Sequence, residues 1–143
     1  MNIYFACSIT GGREFEPVYQ SIVKALLEDG HEVPTAHLAD PSVKEMEQIV
    51  SPGDVYTRDV TWIRNADVLV AEVSTPSHGV GYEIGYALGL GKPVFACSRK
   101  DRKISKMISG NPDPKLNVKQ YSDFEDAVQI VRNFLAENSL HKL

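Results

Sequence analysis

Cysteine is scarce in this sequence of 143 residues, which contains two, Cys7 and Cys97. Two cysteines cannot form the framework of several disulfides that staples many small extracellular domains. Each lies within an apolar run, so we expect both to be buried, reduced thiols that pack as small hydrophobic groups. No group of cysteine and histidine residues has the spacing of a zinc site. We therefore expect neither a metal nor another cofactor.

The sequence also lacks long apolar runs and any excess of positive charge. No apolar stretch approaches the ~18 residues of a membrane-spanning helix. The N-terminus has neither the charged region nor the cleavage site of a signal peptide. Lysine and arginine total 15 against 19 acidic residues, a net charge of −4, which argues against general nucleic-acid binding. These absences predict a cytoplasmic protein that binds neither a membrane nor a nucleic acid.

Short apolar runs alternate along the chain with segments of helical period. The apolar runs predict strands at 3–7, 31–37, 67–73, 93–97 and 117–121. The helical periods predict helices at 14–29, 54–66, 81–90 and 124–136, with shorter candidates at 43–49 and 104–108. Apolar residues make up 43% of the chain and charged residues 24%, which is typical of a folded globular protein.

Five strands separated by helices predict an α/β fold with helices on both faces of the sheet. Strands that are apolar on both faces are typical of a parallel sheet. We expect one domain over residues 1–143, with a doubly wound, five-stranded parallel sheet in the order 2-1-3-4-5. Ligands bind such sheets beyond the carboxyl ends of the strands, where the strand order reverses. The site should therefore lie among residues 4–13, 37, 54–62 and 74–85.

Common motifs of α/β proteins are missing at this edge. The turn after the first strand lacks the G-x-G-x-x-G of a dinucleotide site, and the chain contains no Walker lysine motif. No acidic pair ends the first strand, which argues against a phosphorelay receiver. No G-x-S-x-G elbow is present, which argues against an α/β-hydrolase as well.

Two carboxyl residues remain as candidates for chemistry. Glu83 follows a glycine-rich turn, where we expect the start of a helix to stabilise its charged form. An ionised carboxylate at that place can attack an electrophilic carbon. Asp59 lies in a predicted helix beside Trp62. On position alone, helix capping by Glu83 and a solvated helix surface for Asp59 are the favoured interpretations of the two residues.

Four segments together resemble a known family. They are Tyr4–Arg13 (YFACSITGGR), Asp59–Ile63 (DVTWI), Ala66–Val73 (ADVLVAEV) and Pro76–Gly85 (PSHGVGYEIG). In order and spacing they resemble the nucleoside 2-deoxyribosyltransferase superfamily, and within it the 2′-deoxynucleoside 5′-monophosphate N-hydrolases. The resemblance covers nearly the whole chain and ends at Ser105–Ile108. It implies a flavodoxin-like (Rossmann-like) fold, a homodimer, a small-molecule deoxynucleotide substrate and cleavage of an N-glycosidic bond.

The resemblance also implies roles for individual residues. Glu83 matches the nucleophile that forms a glycosyl-enzyme ester at C1′, Tyr4 the tyrosine that orients it, and Asp59 the acid near the sugar and the leaving base. Ser8, Ser77 and Ser105 match hydroxyls that hold the 5′-phosphate, with Ser105 donated by the partner subunit, and His37 lines the base side. The expected substrate-binding set is completed by Ile9, Gly11, Gly12, Arg13, Gly79 and Met107. Paired carboxyls with separate roles are the general solution for glycosidic bonds.

One position departs from the family pattern. Thr10 stands where the hydrolases carry an arginine, so one charge-assisted contact to the phosphate is missing. Arg13, at the next turn, could supply it. The departure concerns phosphate affinity rather than cleavage of the N-glycosidic bond.

Three functions stay open at this point. The first is hydrolysis of deoxynucleoside 5′-monophosphates to free base and 2-deoxyribose 5-phosphate. The second is transfer of deoxyribose between bases; family members with that activity bind a 5′-hydroxyl through a carboxylate or amide near the partner's C-terminus. Residues 138–143 contain no acidic side chain and one amide, Asn138, which favours the hydrolase. The third is a nucleotide-binding module without turnover, which intact Tyr4, Asp59 and Glu83 argue against.

Overall fold

The computed structural model describes residues 1–139, and within that range it shows a parallel sheet of four strands. They are β1 Ile3–Ala6, β2 Val68–Glu72, β3 Val94–Arg99 and β4 Leu116–Tyr121, in the order β1-β2-β3-β4. The helices are α1 Glu16–Glu28, α2 Val43–Gln48, α3 Pro52–Asn65, α4 His78–Gly89, α5 Lys106–Ser109 and α6 Phe124–Ser139, with a 3₁₀ helix at Ala36–Ala39. Residues 140–143, part of the C-terminal segment weighed above, lie outside the described residues.

Alternation of side chains along each strand divides the core into two layers, because successive strand residues point to opposite faces. Ile3 and Phe5 pack on one face with residues of α1 and α6. Tyr4 and Ala6 pack on the other with residues of α3 and α4. Cys7 and Cys97 are both buried and unbridged, as expected. Within residues 1–139, none of the helices has the length and apolar character needed to cross a bilayer.

The predicted second strand, 31–37, is wrong, so the sheet formed by residues 1–139 has four strands rather than five and the order 2-1-3-4-5 is not confirmed. Beside β1, a single bridge between Asn2 and Glu32 stands in its place. Pro34 then removes a backbone donor. The next outward-facing N–H of β1, that of Phe5, donates to the Oγ1 atom of Thr35 at 2.9 Å. The Thr35 hydroxyl thus takes the place of the backbone hydrogen bonds between two strands. The chain then continues into the 3₁₀ helix.

Two helices begin earlier than predicted, because serine caps precede them. Ser51 Oγ accepts the N–H of Asp54 at 3.2 Å, so α3 begins at Pro52 rather than at Asp54. Ser77 Oγ accepts the N–H of Val80 at 3.2 Å, so α4 begins at His78 rather than near Gly81. Serine at the cap and proline in the first turn are the usual signals for a helix start.

Candidate active site

A buried tyrosine and a glutamate form the centre of the site. Tyr4 lies in β1 with no exposed surface, and its hydroxyl donates to Oε2 of Glu83 in α4. Because α4 begins at His78, Glu83 lies in its second turn rather than at its start. The helix dipole, which acts mainly within the first turn, is therefore not what favours a charged Glu83. Tyr4 is the group that orients its carboxyl.

Glu83 titrates far from the usual range of a carboxyl group. Its pKa is raised from an ordinary 4.5 to about 7, with burial as the largest cause and the nearby Asp59 acting in the same direction. The hydrogen bond from Tyr4 and the charge of Arg58 act in the opposite direction. Burial and the same carboxyl raise the pKa of Tyr4, so its hydroxyl keeps its proton. A group of this kind in a cleft is a common feature of functional sites.

Glu83 opens into a cavity of about 500 Å³ between the β1–α1 loop, α2, α3 and the start of α4. Five of the predicted site residues contribute to its wall: Ile9, Asp59, Ser77, Gly79 and Glu83. Thr10, the residue that departs from the family pattern, lines it too. The cavity thus lies beyond the carboxyl ends of β1 and β2.

A chain of charged side chains leads from Asp59 to the far wall. Arg58 Nε donates to Asp59 Oδ1 at 2.9 Å, and its Nη1 and Nη2 donate to the Glu47 carboxylate at 3.2 and 2.8 Å. His37 Nε2 lies 3.0 Å from Glu47 Oε1. Burial acts to raise the pKa of Glu47, but the bonds from Arg58 and His37 outweigh it and hold that pKa below its usual range.

The two loops at the sheet edge pack against each other. Ser8 is buried and its Oγ accepts the N–H of Gly11 at 3.2 Å. A Cβ on Gly11 would lie 2.8 Å from the carbonyl oxygen of Pro76 and from Ser8 Oγ, so only glycine fits. Gly12 has a φ of +121°, which is also a glycine conformation. The predicted phosphate loop is therefore held close to the β2–α4 loop that carries Ser77.

A buried carboxyl at the end of β2 fixes the β2–α4 loop. Glu72, at the end of β2, has no exposed surface. It accepts the backbone N–H of Ser74 at 2.7 Å, the Ser74 hydroxyl at 2.8 Å and the Tyr121 hydroxyl. Burial raises the pKa of Glu72. Ser74 Oγ in turn accepts the N–H of Arg99 at 2.9 Å, so this network ties the loop to β3 and β4.

Comparison with known proteins identifies the scaffold. The family model of nucleoside 2-deoxyribosyltransferases matches residues 3–130. The chain belongs to this family. It is 41% identical over 140 residues to a mouse protein named 5-hydroxymethyl-dUMP N-hydrolase, with 94% of this chain and 80% of the relative covered. It is 39% identical over 134 residues to a Methanosarcina mazei protein provisionally named a 2′-deoxynucleoside 5′-phosphate N-hydrolase, with 94% and 83% covered.

A solved structure supports the same fold. The CMP N-glycosidase of Clostridium botulinum superposes with a TM-score of 0.70, covering 92% of this chain and 98% of its own, at 19% identity. The predicted relationship to the deoxyribosyltransferase family is thus confirmed, together with the α/β fold that it implies.

The remaining predicted site residues of this family member lie outside the wall of the Glu83 cavity. Arg13 donates to the carbonyls of Ser8 and Leu38 at 3.0 and 2.9 Å, so its guanidinium ties the β1–α1 loop to the 3₁₀ segment. Ser105 caps α5 and, with Met107, lines a neighbouring cavity of about 520 Å³ that shares Ser77 with the first. The Ser105 of this chain therefore does not line the cavity of its own Glu83.

Glu47 and Tyr56 line the cavity, and Arg58 contacts Asp59 beside it; none of the three was named as a site residue from the sequence. Glu47 lies in a segment without clear periodicity, so its position could not be inferred. Arg58 directly precedes Asp59, and that adjacency was the available signal. Tyr56 stands at the mouth, with its ring centroid 6.3 Å from that of Tyr82. Among residues 1–139, no group of three or more His, Cys, Asp or Glu side chains could hold a metal ion.

Proposed function

We propose that this protein hydrolyses the N-glycosidic bond of 2′-deoxynucleoside 5′-monophosphates to give the free base and 2-deoxyribose 5-phosphate. The observation that carries the proposal is the hydrogen bond from buried Tyr4 to half-buried Glu83, which opens with Asp59 into one cavity. Relatives at 39% and 41% identity are named N-hydrolases of such nucleotides, which supports the same class of substrate here.

Glu83 is the nucleophile in the proposed reaction. Its ionised oxygen forms a bond to C1′ while the bond from C1′ to the base nitrogen breaks and leaves its electron pair on the base. Asp59 gives its proton to the departing base. In the second step a water molecule attacks C1′, its proton returns to Asp59, and the ester to Glu83 breaks. A nucleophile and an acid–base group in separate environments are what glycosidic chemistry requires.

The hydrogen bond from Tyr4 has two effects on Glu83 in this scheme. It favours the ionised form of Glu83, in opposition to burial. It also fixes one carboxylate oxygen, which leaves the other free to approach C1′. Tyr4 therefore restrains the nucleophile without taking part in proton transfer, since its own pKa is raised.

The 5′-phosphate is assigned to the edge formed by Ser77 and the glycine loop of residues 11–12. Ser77 begins a helix of 12 residues, whose free N–H groups attract an anion. Ser105 is exposed beside the second cavity, and we propose that it reaches the phosphate of a partner subunit in a homodimer. Arg13 supports this edge by holding the loop, because its donors are directed at main-chain carbonyls.

The test is base release, measured by chromatography after incubation with dGMP, dCMP, GMP and deoxyguanosine. We expect free base from the deoxynucleoside monophosphates, little from deoxyguanosine, and none with Glu83→Gln. Glu28→Gln, an exposed change on α1 whose glutamate pairs with Lys24, is the matched control and should retain full activity. Faster base exchange than hydrolysis on a free deoxynucleoside would instead establish a transferase.

Donation of Ser105 across a dimer has its own test. Glu83→Gln and Ser105→Ala chains are mixed and assayed at low substrate concentration. A two-fold symmetric dimer then forms hybrids in which one of two sites has both residues intact, about a quarter of all sites after random exchange. Recovery of activity above that of either variant supports donation. No recovery in a mixture shown to contain hybrids would reject the donation of Ser105 across the dimer.

A further inference from the structure

Arg58 is held more rigidly than its place on a helix surface requires. Its guanidinium donates through three nitrogens, to Asp59 and to both oxygens of Glu47. Its central carbon lies 4.9 Å from the centroid of the Trp62 ring, within the range of a cation–π contact. The side chain is 24% exposed. Few rotamers satisfy all these contacts at once, so Arg58 is fixed.

The bond between Arg58 and Asp59 joins consecutive residues of α3. Neighbouring residues on a helix point about 100° apart and do not normally face each other. The contact forms because Glu47, from α2, holds the guanidinium at the side of the cavity where Asp59 lies. Glu47 is itself held by His37, whose ring makes an edge contact with Trp62 at 6.1 Å.

We propose that Arg58, fixed by Glu47 and Trp62, is a positioning residue that sets which oxygen of Asp59 serves the reaction. The guanidinium occupies Oδ1, which therefore stays an acceptor. A proton on this carboxyl is carried by Oδ2, the oxygen left to face substrate. The proposal rests on the function proposed above, because it gives Asp59 a defined donor atom for the departing base.

Arg58 also supplies positive charge to a site with three carboxyl groups. The groups that act on Glu83 are Tyr4 from β1 and Asp59 and Arg58 from α3; Glu47 and His37 stand behind Arg58. The charge of Arg58 lowers the pKa of Glu83, whereas burial and Asp59 raise it. Loss of Arg58 should therefore move the ionisation of Glu83 to higher pH, which a purely structural role would not do.

The experiment compares Arg58→Met, Arg58→Lys and Glu47→Gln with the native enzyme, using kcat and kcat/KM for a deoxynucleoside monophosphate from pH 5 to 9. Arg132→Gln is the matched control, since it breaks an arginine–carboxylate pair with Asp29 that lies outside the site. For Arg58→Met we expect kcat to fall at least about tenfold, as for a misplaced acid group. We also expect the acid limb of the kcat/KM profile to shift to higher pH. Arg58→Lys should return the acid limb of kcat/KM to its native pH but should not restore kcat, because lysine has the charge without the fork of donors.

Glu47→Gln separates fixation from charge. It keeps an acceptor oxygen but weakens the hold on Arg58, so kcat should fall while Arg58 remains charged. An Arg58→Met enzyme with kcat within twofold of native and an unmoved acid limb would overturn the proposal, provided that its melting temperature matches that of the control.

A measurement without substrate keeps this inference separate from the proposed function. The ionisation of Glu83 is followed by carbon NMR of labelled glutamate in native protein and in Arg58→Met. An upward shift in the variant supports the electrostatic role even if no nucleotide is cleaved. Base release by native enzyme together with an unchanged Glu83 titration in Arg58→Met would retain the function and reject this role of Arg58.

Discussion

Replacement of Glu83 by glutamine should stabilise the protein at neutral and alkaline pH while it abolishes activity. In the unfolded chain this carboxyl ionises near 4.5, and in the folded protein burial delays ionisation to about 7. The folded state therefore binds this proton more tightly, and its stability declines as pH rises from 4.5 to about 7. At ~1.36 kcal/mol per pKa unit the penalty approaches about 3 kcal/mol.

Partial access of Glu83 to solvent reduces that figure to about 2 kcal/mol. Glutamine has no charge to desolvate, and its amide oxygen can still accept the hydroxyl of Tyr4. At pH 8 we expect the Glu83→Gln variant to be more stable by about 2 kcal/mol, or about 6 °C in melting temperature for a domain of this size. The difference should narrow below pH 7 and close near pH 4.5.

The assay is urea unfolding of both proteins at half-unit steps from pH 4.5 to 8.5, with Glu28→Gln as an exposed control. The control should differ from native protein by a small, constant amount. A Glu83→Gln variant whose stability difference does not change with pH would refute the reasoning, because it would mean that Glu83 ionises alike in folded and unfolded chains.

Three other results are expected. Tyr4→Phe removes one hydrogen bond to a charged partner, worth ~1.5–3 kcal/mol, so kcat should fall about 10- to 100-fold in steady-state assays; an unchanged kcat and pH profile would make Tyr4 a packing residue alone. Gly11→Ala places a Cβ 2.8 Å from the Pro76 carbonyl oxygen and should lower stability by about 1–3 kcal/mol in thermal unfolding. The control Gly53→Ala meets open space and should not lower it, so equal melting temperatures of the two variants would contradict this. Ser105→Ala should raise KM for the monophosphate and leave the slow deoxynucleoside reaction unchanged, and an equal loss on both substrates would argue against phosphate binding.

The sequence predicted all four strands of the observed sheet, and its one wrong strand lies where a side-chain hydroxyl replaces backbone pairing. The run 31–37 has the composition of a strand, but Pro34 and the hydroxyl of Thr35 end the pairing after one bridge. Helix starts were misplaced by two or three residues because Ser51 and Ser77 act as caps, and a serine in a turn does not by itself show which N–H it will accept.

The candidate site likewise contains residues that the sequence predicted and contacts that it did not. Tyr4, Asp59 and Glu83 stand in compact motifs whose spacing is visible in the chain. The contact between Arg58 and Glu47 joins residues on two helices, and it depends on the path of residues 36–50, which have no strong period. Pairing of this kind is a property of the folded chain, so local sequence could not predict it.

The hydroxyl of Thr35 has a consequence for how this sheet meets other molecules. The outer edge of β1 would expose the N–H groups of Ile3 and Phe5, and an open edge of this kind invites strands from neighbouring chains to add on. Glu32 O accepts the first N–H at 2.8 Å and Thr35 Oγ1 the second at 2.9 Å. The segment Glu32–Thr35, between α1 and the 3₁₀ helix, thus closes the border of the sheet to intermolecular β-pairing, and Thr35→Val would reopen it without changing the residues of the candidate site.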